Sequence, residues 1–92
     1  MEPDEVLDAL VEVAQEAGVT VRVLPRGAAR EGEPQPESNV CRIRGEPWLI
    51  LAPGESVEDR ISAAARAVRS FAADEAERRF LPPAVRERLD RD

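Results

Sequence analysis

Between Pro3 and Ala17 apolar residues return every three or four positions, at Val6, Leu7, Leu10, Val11, Ala14 and Ala17, the period of one buried helical face. Pro3 suits a first helical turn and Gly18 suits a stop, so the spacing predicts a helix over this stretch. The period then shortens to two. Val19, Val21 and Val23 alternate with Thr20, Arg22 and Leu24 before Pro25, which predicts a half-buried strand whose odd positions face the core. The helical period returns after Pro53 and Gly54, where Ser56 and Asp59 have the spacing of a capping box. Val57, Ile61, Ala64, Ala65, Val68, Phe71 and Ala72 then form one stripe, with Arg60, Arg66 and Arg69 outside it.

The middle of the chain, NVCRIRGEPWLILAPG, reads as a hairpin turning at Gly45 and Glu46, with glycine in the first central place. That turn pairs Arg44 with Pro47, Ile43 with Trp48, Arg42 with Leu49, Cys41 with Ile50 and Val40 with Leu51. One face then holds Cys41, Ile43, Trp48 and Ile50, and the expectation is that this face meets the core. The other presents Val40, Arg42, Arg44, Leu49 and Leu51, joined by Thr20 and Arg22 if the first strand lies alongside. A solvated sheet face is ordinarily polar throughout. Two leucines and a valine there call for cover, either from this chain or from another molecule.

Residues 26–38, rich in proline and glycine, read as a mobile loop with a short extended Pro-x-Pro segment. Past Asp74 the apolar pattern weakens, and Phe80 and Leu81 are held extended by Pro82 and Pro83. A short last helix follows, with Val85 and Leu89 inward, and residues 90–92 are expected to fray. The expected architecture is a single α+β domain spanning residues 1–92: a small, mostly antiparallel three-stranded sheet, two helices on one of its faces and a short C-terminal helix.

Composition narrows the chemistry. The sequence has no histidine and one cysteine, so a standard structural zinc site and a histidine-paired serine or cysteine nucleophile are both out of reach. Cys41, on the face assigned to the core, reads as a small hydrophobe rather than a reactive thiol. Residues 1–18 carry six acids and no base, which equals the net charge of −6 for the whole chain. Asp4, Asp8, Glu12 and Glu16 recur at four-residue steps there. This reads as a solvated face, or else as a dock for arginines, from Arg26 or Arg30 in the loop or from a partner. From Glu55 onward eight arginines meet nine acids, which disfavours nucleic-acid binding, as does an aromatic share of 3%. No apolar run approaches the roughly 20 residues of a membrane span, and the acidic N-terminus is unlike a secretory signal, so a cytoplasmic location is expected.

The order helix, strand, loop, hairpin, capped helix, with PWLILAPGESVEDRISAAARAV across the join, resembles the core of small zincin-type metallopeptidases. In that family the helix carries a His-Glu-x-x-His motif. Here Ala65, Arg66 and Arg69 stand near the corresponding positions, so the resemblance implies at most a scaffold emptied of catalysis, with a regulatory role. The chain also resembles short uncharacterised bacterial domains. The leading expectation is a noncatalytic module, without cofactor or metal, that binds a protein partner or forms a homodimer. Its expected surface is Val40, Arg42, Arg44, Leu49 and Leu51, with Phe80 and Leu81 either sharing the contact or folding back to cover the leucines. The alternative is an enzyme built on carboxylates and arginines, using Glu55 or Glu58 beside the strand-to-helix turn.

Overall fold

A computed structural model describes residues 1–26 and 31–91. Along the chain run α1 (Pro3–Glu16), β1 (Thr20–Val23), β2 (Asn39–Ile43), β3 (Glu46–Leu51), α2 (Val57–Phe71), α3 (Ala73–Arg78) and α4 (Pro83–Asp90). The α+β class is as expected, with α1 and α2 packed on one face of a three-stranded sheet and short helices after them.

Local signals place the helix ends. The Glu5 carboxylate accepts a hydrogen bond from the Glu2 backbone N–H at 3.1 Å, closing the first turn of α1. At the other end Gly18 takes φ +94°, so its N–H reaches the Gln15 carbonyl and the Val19 N–H reaches the Ala14 carbonyl, each at 3.0 Å. That pair of bonds is a Schellman stop, and the positive φ is why glycine stands there. Ser56 Oγ accepts from the Asp59 N–H at 3.1 Å and starts α2.

The sheet has the order β1-β3-β2, with β1 parallel and β2 antiparallel to β3. The hairpin turns at Arg44 (φ 53°) and Gly45 (φ 81°), one residue earlier than expected. Positive φ at both central residues makes it a type I′ turn. Its register pairs Ile43 with Glu46, Arg42 with Pro47, Cys41 with Trp48, Val40 with Leu49 and Asn39 with Ile50. Proline explains the shift. The two residues flanking a two-residue turn exchange both backbone hydrogen bonds. In the expected register one of them would be Pro47, which has no N–H to give. The observed register moves Pro47 to a site between ladder bonds and lets Glu46 close the turn.

The shift is by two residues, so each face keeps its membership, but the face turned to the core is the opposite of the expected one. Leu49 is 0% exposed and Leu51 is buried, with Val21 and Val40 packed against the same core. By strand alternation Cys41, Ile43, Trp48 and Ile50 project from the other side. The cause is β1. Parallel pairing sets Val21 beside Leu49 and Val23 beside Leu51, while Thr20 lies beside Trp48 and Arg22 beside Ile50; Val21 packs on the core, but Val23, expected inward, is 64% exposed at the end of the strand. Turning Trp48 inward would carry Arg22 into the core, where an unpaired charge costs several kcal/mol. β2 and β3 have apolar groups on both faces, so β1 decides the orientation.

α2 is the central helix, touching α1, α3, α4, β2 and β3. Its buried arc is accordingly wider than the expected stripe and includes Ala63 and Ala67, whose small side chains allow close approach on several sides. Arg60, expected outside, falls within that arc: it is half-buried, and its Nε is buried without a hydrogen-bond partner. In α1 the fully buried Val13 joins the face read from the spacing.

The C-terminal third adds α3, which the pattern did not show, and α4 with Val85 and Leu89 inward, which it did. Leu81 is buried in the core while Phe80 is 93% exposed, so neither lies over an outward leucine patch. Helix α2 lies over β3, the strand of Leu49 and Leu51, and α1 lies over β1. Asp90 belongs to α4 rather than to a frayed tail. Within the expected loop 26–38, Gly27 to Arg30 lie outside the described residues, as does Asp92 at the tail. The end of that loop is tied down: the Ser38 N–H donates to Glu55 Oε1 at 2.7 Å and the Ala52 N–H donates to Ser38 Oγ at 2.9 Å.

Candidate functional site

The open face of the sheet is the candidate site. Trp48 stands at its centre, on the middle strand, with Thr20 beside it on β1 and Cys41 beside it on β2. Ile50 and Glu46 lie two residues up and down β3 from it. Arg22 and Asn39 flank Ile50, and Ile43 flanks Glu46. Trp48, Ile50 and Cys41 are half-buried by their neighbours, and Ile43 is 40% exposed. The Arg22 guanidinium carbon sits 5.7 Å from the centre of the Trp48 ring, within cation–π range. The result is a central aromatic, three aliphatic or thiol neighbours and a rim of one cation, one anion and two polar groups.

The residues expected to form an interface are distributed differently. Leu49, Leu51 and Leu81 are buried and Val40 is packed on the core, so none offers a surface to a partner. Arg42 lies on the helix side of the sheet, 4.8 Å from the Phe71 ring centre, and donates to the Gly45 carbonyl at 3.1 Å. Arg44 is exposed at the hairpin tip. Phe80 is exposed on the α3–α4 connection. The set the structure brings together is Trp48, Ile50, Cys41, Ile43 and Arg22. Alternation had already grouped the first four; the missing signal was the phase of β1 against β3.

The other charged groups are largely spent on holding helices together. Arg79 bridges to Glu16, to Glu75 at 3.5 Å and to Glu12 at 3.9 Å, so the acidic stripe of α1 receives an arginine from beyond α3. Of the two expected docking arginines, Arg26 is exposed and Arg30 lies outside the described residues. Arg86 donates to the Ala76 carbonyl at 2.9 Å and the Arg79 carbonyl at 3.1 Å, capping the end of α3. Arg88 joins Glu58 and Ser62 of α2, and Arg69 reaches the Arg88 and Leu89 carbonyls at 3.4 Å.

Of the carboxylates expected to act with an arginine, Glu55 accepts from the Ser38 N–H and Glu58 pairs with Arg88 at 2.5 Å, in a groove of about 260 Å³ that Arg69 and Arg91 also line. Where β1 and β3 end, Leu24, Arg26, Gln35, Pro36 and Pro53 line a hollow of about 100 Å³. That is room for a few waters, well below the several hundred Å³ of a typical small-molecule site. A wider groove of about 470 Å³ runs past Glu16, Phe71, Asp74, Glu75 and Arg78, but two of its carboxylates, Glu16 and Glu75, are bound by Arg79. Among the described residues no three metal-ligating side chains converge, and no helix is long and apolar enough to cross a membrane. No protein-family model matches the chain, and neither a curated protein nor a solved structure is significantly similar to it.

Proposed function

We propose that this protein acts by binding another polypeptide, as a noncatalytic interaction or self-association module whose docking surface is the open sheet face. The supporting observation is the sheet's asymmetry. Helices cover the side of Leu49 and Leu51, while the other side keeps a tryptophan, an isoleucine and a cysteine half-buried, with a second isoleucine exposed beside them. Aromatic and arginine side chains are enriched at the centres of protein interfaces, and Trp48 under Arg22 has that composition. The chemistry left on the surface favours contact over turnover, since the arginines and carboxylates near the helices serve as caps and ties.

Ile50→Glu tests the reading. The side chain lies on the open face away from the core, so circular dichroism should show the variant folded. Association measured by sedimentation, and capture of protein from an extract of the native source, should both depend on Ile50. A wild type that neither self-associates nor captures any protein in an Ile50-dependent way overturns the proposal.

A further inference from the structure

We infer that the occupant of the open face is a second copy of this chain, seated sheet to sheet about a two-fold axis that passes by Trp48. This rests on the reading of that face as a docking surface and names its partner. The rim is self-complementary. With roughly 3.3 Å per residue and about 4.8 Å between strands, Glu46 lies about 7 Å from Trp48 along β3, and Arg22 lies about 8 Å away in the opposite sense on β1. One cation and one anion thus sit at nearly equal distances on opposite sides of the central tryptophan. A two-fold axis lying between the sheets and running mainly across the strands sets Arg22 of each copy over Glu46 of the other. It makes the same pair twice and brings each Trp48 against its mate.

The net charge does not oppose this arrangement. The surplus of six acids lies in residues 1–18, and α1 is on the far side of the sheet from the open face. Three layer spacings of about 10 Å each separate the two α1 helices in such a pair, nearly four Debye lengths of about 8 Å in physiological salt. The footprint sets the strength. Three strands of four to six residues give a flat area of about 240 Å², below the roughly 800 Å² per partner of a standard interface. The dimer is therefore concentration-dependent rather than obligate.

Sedimentation equilibrium of the full chain from low micromolar to submillimolar concentration tests this, with Trp48 emission as a second readout. The expected result is a reversible dimer whose formation shifts the emission to the blue. Arg22→Glu and Glu46→Arg each weaken it roughly tenfold, and the double variant restores it. Circular dichroism on each variant separates loss of pairing from loss of fold. A wild type that stays monomeric throughout, yet captures a different protein in an Ile50-dependent way, overturns the second copy and leaves the docking face standing. A monomer without such capture overturns both. A dimer indifferent to Ile50→Glu and to both charge reversals overturns the face-to-face placement.

Discussion

Leu49 and Ile50 are neighbours of nearly equal hydrophobicity on the same strand, and the fold puts them on opposite sides of the sheet. Truncating each to alanine measures what that choice is worth. Leu49 is 0% exposed, and Leu→Ala at such sites costs about 3–4 kcal/mol, the transfer term plus the cavity left among packed neighbours. A domain of this size has about 5–10 kcal/mol of stability in all and loses roughly 4–8 °C of melting temperature per kcal/mol. Leu49→Ala should therefore melt about 15–25 °C below the wild type. Ile50→Ala removes three carbons from a residue that is partly exposed. At about 0.8 kcal/mol per fully buried methylene, and with most of that surface out of water, this comes to about 1.5–2 kcal/mol, or roughly 6–16 °C. Urea denaturation followed by circular dichroism, at a concentration low enough to keep the chain monomeric, gives both values. Equal costs, or a larger cost at Ile50, would refute the inside–outside assignment and with it the open face.

Three further outcomes are expected. Arg44→Asn should stabilise the protein by a few tenths to about 1 kcal/mol, because Arg44 holds φ 53° in a type I′ turn that favours Asn-Gly; an unchanged or lower urea midpoint would count against that turn. Gly18→Ala should cost about 1 kcal/mol or more through backbone strain alone, since φ is +94° and a Cβ there meets nothing within 4 Å. A calorimetric melt indistinguishable from the wild type would contradict this. Arg79→Ala should cost about 1–2 kcal/mol, since its partners Glu12 and Glu16 are about half exposed or more while its pair with Glu75 joins side chains only about a quarter exposed. The loss should shrink in high salt as the pairs are screened, and a salt-independent loss would mean that the side chain acts by packing instead.

What the sequence determined by itself was carried by near neighbours, though α3 and the exact turn of the hairpin escaped it. The apolar period and the Gly18 stop delimit α1, Ser56 and Asp59 start α2, and Pro83 with Val85 and Leu89 marks α4. These signals are legible because a helix turn, a cap and a strand's alternation involve residues within about four positions of one another. They also sorted the hairpin correctly into two faces. Which face met the core was decided only by the tertiary structure. Leu49 and Leu51 compete with Trp48 and Ile50 on nearly even terms, and the tie is broken by β1, more than twenty residues earlier, whose parallel register sets Arg22 beside Ile50 and Val21 beside Leu49. The docking of Arg79 on the acids of α1 and the burial of Leu81 rather than Phe80 also depend on how distant segments meet. A side chain's environment is the sum of such distant encounters, and a pattern read along one strand carries no information about which of its two apolar sides they will cover.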